Sequence, residues 1–179
     1  TDDLLWLPYV LAEYLEVTGD WSVCGEKTCY LESPPLREGE RERYETPRCS
    51  EREDTVYRHA LAAIRCAVER GAGSHGLALI GGGDWNDGMN RVGAGGRGES
   101  VWLTWFLALV LRKFAPVCRH MEEPQLAEEL LGRAEGYRKA AEAAWDGNWY
   151  RRGYFDSGAP LGTRGAESCE IDSIAQSFR

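Results

Sequence analysis

The sequence predicts an all-α protein in which amphipathic helices surround one wholly apolar helix. Apolar residues recur at helical spacing in several segments of the chain, and the strand–helix alternation of a parallel sheet is not seen. The segment 101–111 is apolar on nearly every face, as expected for a helix buried on all sides. We therefore expect two layers of helices joined by long loops, in a chain whose 179 residues amount to about one domain.

The first helix is predicted over residues 4–17, and Asp2 or Asp3 is expected to cap its start. Its buried face is expected to carry Leu4, Leu7, Leu11 and Leu15, flanked by Val10, Tyr14 and Val17. Gly19 follows directly and ends it. Residues 20–50 hold three prolines and many charges without a helical period, so we expect a long irregular connection there.

The second helix is predicted to begin at Ser50, because Ser50 and Glu53 have the spacing of a capping box. Apolar residues then share one face of this helix, namely Tyr57, Leu61, Ile64 and Val68. Ten of the 21 glycines lie between Gly73 and Gly98, which indicates a long, backbone-rich loop.

The wholly apolar helix is predicted to begin at Val101. We expect it to end near Arg112 and Lys113, whose charges suit the negative end of a helix dipole. Pro124 is a typical first residue of the next helix, whose apolar stripe extends to Trp145.

One short hairpin is predicted near the end of the chain. Residues 149–155 favour a strand, and Asp156–Gly158 favours a turn after it. A last helix is expected to begin near Asp172. Both ends of the chain interrupt periodic segments, so we expect residues 1–179 to be a single fragment of one larger domain.

The amino-acid composition argues against some classes of protein and of function. The chain has 21 basic and 29 acidic residues, a net charge of −8 and a pI near 5.0, which makes a nucleic-acid partner a poor expectation. Hydrophobic residues reach 43%, too many for a disordered chain. Seven tryptophans suit either a core or a surface that stacks on flat ligands.

Neither a signal peptide nor a membrane span is predicted. The N-terminus lacks a basic region, and the apolar run 101–111 is shorter than the ~18–20 residues that a span requires. We therefore expect a cytoplasmic protein whose six cysteines are mostly reduced, with a Cys24–Cys29 or Cys24–Cys49 bridge as the alternative. The cysteines form no C-x-x-C pair and the three histidines are not spaced as zinc ligands, so no metal site is predicted.

The stretch most indicative of chemistry is 81–90, Gly-Gly-Gly-Asp-Trp-Asn-Asp-Gly-Met-Asn. Asp84 and Asp87 flank Trp85 and Asn86. An indole can stack on the apolar face of a sugar ring, amide and carboxylate groups can bind hydroxyls, and a carboxylic acid can protonate a leaving glycosidic oxygen. Such an acid must hold its proton near neutral pH, and we expect the indole of Trp85 to shield it from water.

Other interpretations of the glycine-rich region remain open. Asn86–Gly88 is a common turn tripeptide, and Trp85 can simply fill a core. Gly93–Gly98 matches G-x-G-x-x-G, but it does not follow a strand in a βαβ unit, so a flexible loop at a cleft is favoured over a dinucleotide site. The amides of this loop, with Arg97 beside them, are a candidate site for an anion such as phosphate.

A second candidate group lies near the C-terminus. Asp172 and Gln176 are four residues apart and share a face of the predicted last helix. If that face lines a cleft, both can bind sugar hydroxyls. A capping aspartate and a solvated glutamine are the alternative.

The segment Gly83–Asn90 resembles the D-W-N-D segment of glycoside hydrolase family 94, the inverting β-glycoside phosphorylases. Several other segments look like the branch of that family found at the C-terminal end of cyclic β-1,2-glucan synthases. These are residues 2–9, 88–93, 96–102, 149–152 and 171–177. The similarity therefore extends along the whole chain.

The resemblance implies that the chain forms about half of an (α/α)6 toroid whose inner helices carry the loops of a sugar cleft. It implies that Asp87 is the general acid and that Trp85 lies at the subsite of the transferred sugar. Asp84 and Asn86 belong to the same loop and are candidate substrate contacts, as is Gln176.

The resemblance also implies the reaction. Inorganic phosphate takes the place of the activated water, and no cofactor is needed. The expected partners are a β-glucan or gluco-oligosaccharide, phosphate and the rest of the toroid, and the parent protein can be associated with the inner membrane. A half toroid exposes apolar surface, so we expect self-association. An inverting (α/α)6 hydrolase and a non-catalytic glucan-binding fragment are the alternatives.

Overall fold

A computed structural model describes residues 1–37, 40 and 43–178. Within these ranges it has five α-helices and two small antiparallel sheets. The helices are α1 Asp3–Thr18, α2 Val56–Glu69, α3 Val101–His120, α4 Pro124–Glu142 and α5 Ile174–Ser177. The strands are β1 Lys27–Glu32, β2 Arg48–Thr55, β3 Glu99–Ser100, β4 Gly153–Tyr154 and β5 Pro160–Leu161.

The helical core is as predicted, but the all-α description is incomplete, because β1 and β2 lie where an irregular connection was expected. The capping box at Ser50 is also wrong. Ser50 lies within β2, where its hydroxyl accepts the amide of Arg52. The helix begins at Val56, capped by the Thr55 hydroxyl, which accepts the amide of Arg58. Residues 48–55 are mostly polar and lack a strand period, and pairing with β1 decides their conformation.

The expectation of reduced cysteines fails at one pair. Cys29 and Cys49 form a disulfide that joins β1 to β2, with their Cα atoms 5.7 Å apart. Both predicted alternatives involved Cys24, which is instead a free, buried thiol. The antiparallel pairing of the two strands brings the bonded cysteines together, and that pairing was not visible in the sequence.

Helix α1 has the predicted bounds but a rotated buried face. The side chains that it buries are Leu5, Pro8, Leu11, Ala12 and Leu15. Its exposed apolar residues are Leu7, Val10, Tyr14 and Val17. The predicted aspartate cap is absent too, because the Asp2 carboxylate accepts the indole N–H of Trp6 at 2.9 Å.

Helix α3 is the centre of the core. Its predicted start is confirmed and all of residues 101–111 except Leu109 are buried, but the helix continues past Pro116, so the predicted end near Arg112 and Lys113 is wrong. Lys113 instead pairs with Glu13 on α1. Among the described helices, α3 alone is long and apolar enough to match a membrane span, and 78% of the matching segment is buried inside the protein. Contacts with the surrounding helices account for this apolar composition.

The second sheet positions the start of α3. Strand β4 lies between β3 and β5, so the predicted strand near residue 150 and the turn after it are confirmed. Gly153 is required here, because a side chain would collide with the Glu99 carbonyl oxygen across the pair. The backbone of Arg152 donates to Leu161 and accepts from Val101, the first residue of α3. The predicted last helix is α5, a single turn.

Candidate active site

The glycine-rich segment forms one side of an open hollow of about 840 Å³. Its lining consists of Gly81, Gly82, Asp87, Asn90, Gly93, Ala94 and Gly96. Most of these residues lack a side chain, so the backbone itself bounds the space. Asp87 is the only acid among these lining residues, and its side chain is exposed to the hollow.

Trp85 is an open platform rather than a core residue. Its side chain is 63% exposed, and its ring centroid lies 5.7 Å from that of Trp6. Trp6 in turn rests against Phe106 of α3, 4.7 Å away. The alternative that Trp85 fills a core is therefore wrong, and one face of the indole is free to meet a ligand.

The two aspartates of the loop lie in opposite environments. Asp87 is exposed, so the expectation that Trp85 shields its carboxyl group from water is wrong. Asp84 is only 2% exposed. Burial acts to raise the pKa of Asp84, but hydrogen bonds and charge from Arg152, with a bond from Ser100, hold that pKa below its ordinary value.

The partner of Asp84 is the buried guanidinium of Arg152. Two nitrogens of Arg152 donate to the two carboxylate oxygens of Asp84, at 2.8 and 2.6 Å. The Ser100 hydroxyl donates to Asp84 at 2.6 Å, and the third nitrogen of Arg152 donates to Asp172 at 2.8 Å. The sequence offered one clue to this arrangement, an arginine pair at 151–152 within a predicted strand, but the importance of Arg152 was missed.

Asn86 and Gln176 both bind backbone groups. The Asn86 side-chain oxygen accepts the amide of Gly88 at 3.0 Å and shapes the turn that carries Asp87. The side-chain amide of Gln176 accepts the backbone N–H of Tyr150 at 2.8 Å and donates to the backbone carbonyl of Tyr150 at 2.9 Å. Asn86 therefore shapes the loop that carries Asp87, whereas Gln176 holds the backbone at Tyr150, away from the residues that line the hollow. Direct contact with sugar stays a prediction for each.

The second glycine run is organised by a carboxylate that the sequence did not reveal. Asp156 accepts the amides of Gly95, Arg97 and Gly98 at 2.6, 2.8 and 2.9 Å. The bonds from Gly95 and then Arg97 lower the pKa of Asp156. The candidate anion site at these amides is therefore wrong, because an internal carboxylate already binds them.

The described part of the chain has no group of three histidine, cysteine, aspartate or glutamate side chains placed to hold a metal ion. The chemistry available in the hollow is that of Asp87, and the same loop exposes the indole of Trp85 two residues earlier. A carboxyl group in an open hollow and an exposed indole on one loop are typical of a carbohydrate-active protein.

Comparison with known proteins makes that class specific. The chain belongs to the glycosyl hydrolase 94 superfamily, whose catalytic-domain family model matches residues 1–179. The family predicted from the D-W-N-D segment is thereby confirmed.

Relatives in this family include a synthase and several phosphorylases. A cyclic β-(1,2)-glucan synthase of Rhizobium meliloti is 44% identical over 99% of the chain, which spans 6% of that protein. A solabiose phosphorylase of Paenibacillus borealis is 34% identical over 99% of the chain and 21% of its own length. A cellobionic acid phosphorylase of Neurospora crassa is 34% identical over 92% of the chain and 18% of its own length. The chain thus spans about a fifth or less of these relatives.

Proposed function

We propose that the chain is part of a glycoside phosphorylase domain that cleaves β-linked glucans by inverting phosphorolysis. The observation that carries this proposal is the exposure of Asp87 in an open hollow, on a loop that also exposes the indole of Trp85 and that Asp84 anchors to Arg152. Membership of the glycosyl hydrolase 94 superfamily supports it, as do the phosphorylases among the relatives.

In the proposed reaction, Asp87 donates its proton to the glycosidic oxygen as the bond from that oxygen to the anomeric carbon breaks. A phosphate oxygen forms a new bond to the anomeric carbon from the opposite face, which inverts its configuration. The products are α-glucose 1-phosphate and a glucan shortened by one unit. Because phosphate is the nucleophile, one protein carboxyl group suffices where an inverting hydrolase needs two.

The exposure of Asp87 is compatible with this role. A glucan that fills the hollow has direct access to the carboxyl group of Asp87. The open indole of Trp85 gives the sugar a surface to stack on. Asp84 has both oxygens occupied by Arg152 and Ser100, so we assign it to positioning the loop.

We further propose that the chain forms about half of an (α/α)6 toroid and that the residues binding phosphate lie in the other half. Two apolar surfaces support this. One is the exposed stripe of α1, formed by Leu7, Val10, Tyr14 and Val17. The other is a groove of about 260 Å³ between α3 and α4, whose lining includes Trp105, Leu109 and Leu131. The cytoplasmic location stays a prediction.

Those surfaces also lead us to propose that the isolated chain self-associates. Light scattering on the 179-residue chain at micromolar concentration should give a mass above 20.0 kDa. A strictly monomeric species would contradict this part of the proposal.

The reaction itself is tested on the complete polypeptide, in which this chain is joined to the rest of its domain. We expect cleavage of β-1,2-linked gluco-oligosaccharides only with inorganic phosphate present, and ³¹P NMR should identify the product as the α anomer of glucose 1-phosphate. Cleavage without phosphate would indicate a hydrolase. Heat of binding in calorimetry without cleavage would indicate a glucan-binding domain.

A further inference from the structure

We propose that Arg152 is a positioning residue for Asp87. It acts through its ion pair with Asp84 on the buried side of the loop. This inference rests on the proposed role of Asp87 as the general acid. The guanidinium of Arg152 is 1% exposed and reaches neither the hollow nor bulk solvent, so it cannot touch a substrate.

The connection from Arg152 to Asp87 consists of successive hydrogen bonds. Arg152 holds both oxygens of Asp84 in a fork, and one of those oxygens accepts the amide of Asn86 at 3.2 Å. The carbonyl of Asn86 then accepts the amide of Met89 at 2.9 Å, which closes the single turn that carries Asp87. A rotation or shift of the Asp84 carboxylate is therefore transmitted to the acid.

Arg152 also ties this loop to the rest of the site. It donates to the Ser100 hydroxyl at 3.1 Å, and that hydroxyl caps the start of α3 by accepting the amide of Leu103. Its Nε atom donates to Asp172, just before α5. One cation thus joins the acid-bearing loop to the starts of two helices.

The energetics of the Arg152–Asp84 ion pair indicate that the pair fixes geometry more than it adds stability. A buried ion pair contributes little net stability compared with apolar residues of the same size, because removing two charges from water offsets much of their attraction. Its geometric specificity is the larger effect, since a guanidinium and a carboxylate meet in one planar, two-bond arrangement. Arg152 meets Asp84 in that arrangement, and Lys cannot reproduce it.

The test uses Arg152→Lys in the complete polypeptide, with Arg151→Lys as the matched control. Arg151 is adjacent and also ion-paired, but its partners are Asp146 and Tyr154, which lie outside the loop. Two substrates are compared: a β-1,2-linked gluco-oligosaccharide, which needs the proton of Asp87, and dinitrophenyl β-glucoside, whose leaving group needs none.

We expect Arg152→Lys to lower kcat on the oligosaccharide roughly 10- to 100-fold, as a misplaced catalytic group does, with KM nearly unchanged. On the dinitrophenyl glucoside its kcat should fall much less, and Arg151→Lys should match the wild type on both. A merely structural role would lower both activities together, because fewer molecules would be folded. Equal losses, or none, would overturn the inference.

Asp172→Asn covers the case in which Arg152→Lys fails to fold. Asp172 is partly exposed, and its loss removes the bond that orients the guanidinium of Arg152 against Asp84. It should show the same selective loss on the oligosaccharide, smaller in size, and an unchanged ratio of the two activities would overturn the inference.

Hydrogen exchange separates this inference from the proposed function. Amides 83–89 should exchange faster in Arg152→Lys or Asp172→Asn than in Arg151→Lys, whether or not the protein cleaves glucans. Unchanged exchange would overturn the positioning role of Arg152. An inactive wild type with faster exchange in the variants would refute only the proposed function.

Discussion

Asp84 and Asp87 have the same side chain and lie three residues apart, yet their surroundings assign them different tasks. The turn at Asn86 sends one carboxyl group down to Arg152 and leaves the other facing the hollow. A carboxylate fixed by a guanidinium is a poor proton donor, because the bonds favour its charged form. Of the two carboxyl groups, only that of Asp87 is open to a ligand in the hollow.

Trp85 offers a direct test of sugar stacking. We expect Trp85→Ala to raise KM for gluco-oligosaccharides roughly 2- to 12-fold, since an aromatic contact is worth about 0.5–1.5 kcal/mol. Trp85→Phe keeps an aromatic ring, so its KM should rise less. Thermal unfolding should barely change in either variant, because the indole is 63% exposed. Steady-state kinetics with the three proteins gives the answer, and equal KM values would rule out stacking.

At this scale the sequence predicted the candidate acid and the indole, because the D-W-N-D motif lies in one short stretch. It could not predict the partner of Asp84, since Arg152 lies 68 residues further along the chain. It also missed the exposure of Asp87. Solvent exposure depends on the hollow, which forms only when segments 81–90 and 93–96 meet.

At the scale of structural elements, hydrogen bonds to Asp156 fix the shape of the loop 93–98. Three backbone amides donate to its carboxylate, and without it they would need water as their hydrogen-bond acceptor. We expect Asp156→Asn to speed hydrogen exchange of amides 95–98, because a neutral amide oxygen is a weaker acceptor than a carboxylate. Ser157→Ala, one residue away on the same turn, is the control. Equal exchange in both variants would show that the loop holds its shape without Asp156.

The helices were predicted better than the strands, and the reason is the range of the interactions. The buried start of α3 follows from its own apolar residues, and α4 follows from Pro124 and a local stripe. Strand β2 instead exists because it pairs with β1 across 15 residues of connecting chain, 33–47, which no local pattern reports. The short motif at Ser50 was therefore misread as a helix start.

The central role of α3 predicts a strong response to truncation of its core. Phe114 is fully buried and stacks on Tyr57 of α2, with ring centroids 5.9 Å apart. Phe114→Ala should lower the free energy of unfolding by about 3–5 kcal/mol, measured by urea titration. The exposed neighbour provides the comparison, since Arg112→Ala should stay within about 0.5 kcal/mol of wild type. A small change in the free energy of unfolding for Phe114→Ala would contradict the assignment of α3 as the centre of the core.

For the whole molecule, the lowered pKa of Asp84 links stability to pH. Its charged form is favoured in the folded state, so its contribution is present above the ordinary value near 3.8 and is lost as the pH falls through the lower, folded pKa. Asp84→Asn should cost about 3–5 kcal/mol at pH 7, because it leaves Arg152 short of a partner. Urea unfolding from pH 7 to 3 should therefore show a shallower acid dependence in Asp84→Asn. Parallel curves would contradict the coupling.

The whole-molecule account depends most on one carboxyl group. The measurement is kcat of Asp87→Asn in the complete polypeptide, with inorganic phosphate, on a β-1,2-linked gluco-oligosaccharide and on dinitrophenyl β-glucoside. Asp3→Asn, at a side chain that is 97% exposed on α1, serves as the control. We predict a loss of roughly 10²- to 10⁴-fold on the oligosaccharide and a far smaller one on the dinitrophenyl glucoside. Wild-type turnover of the oligosaccharide by Asp87→Asn would contradict the role of Asp87 as the acid.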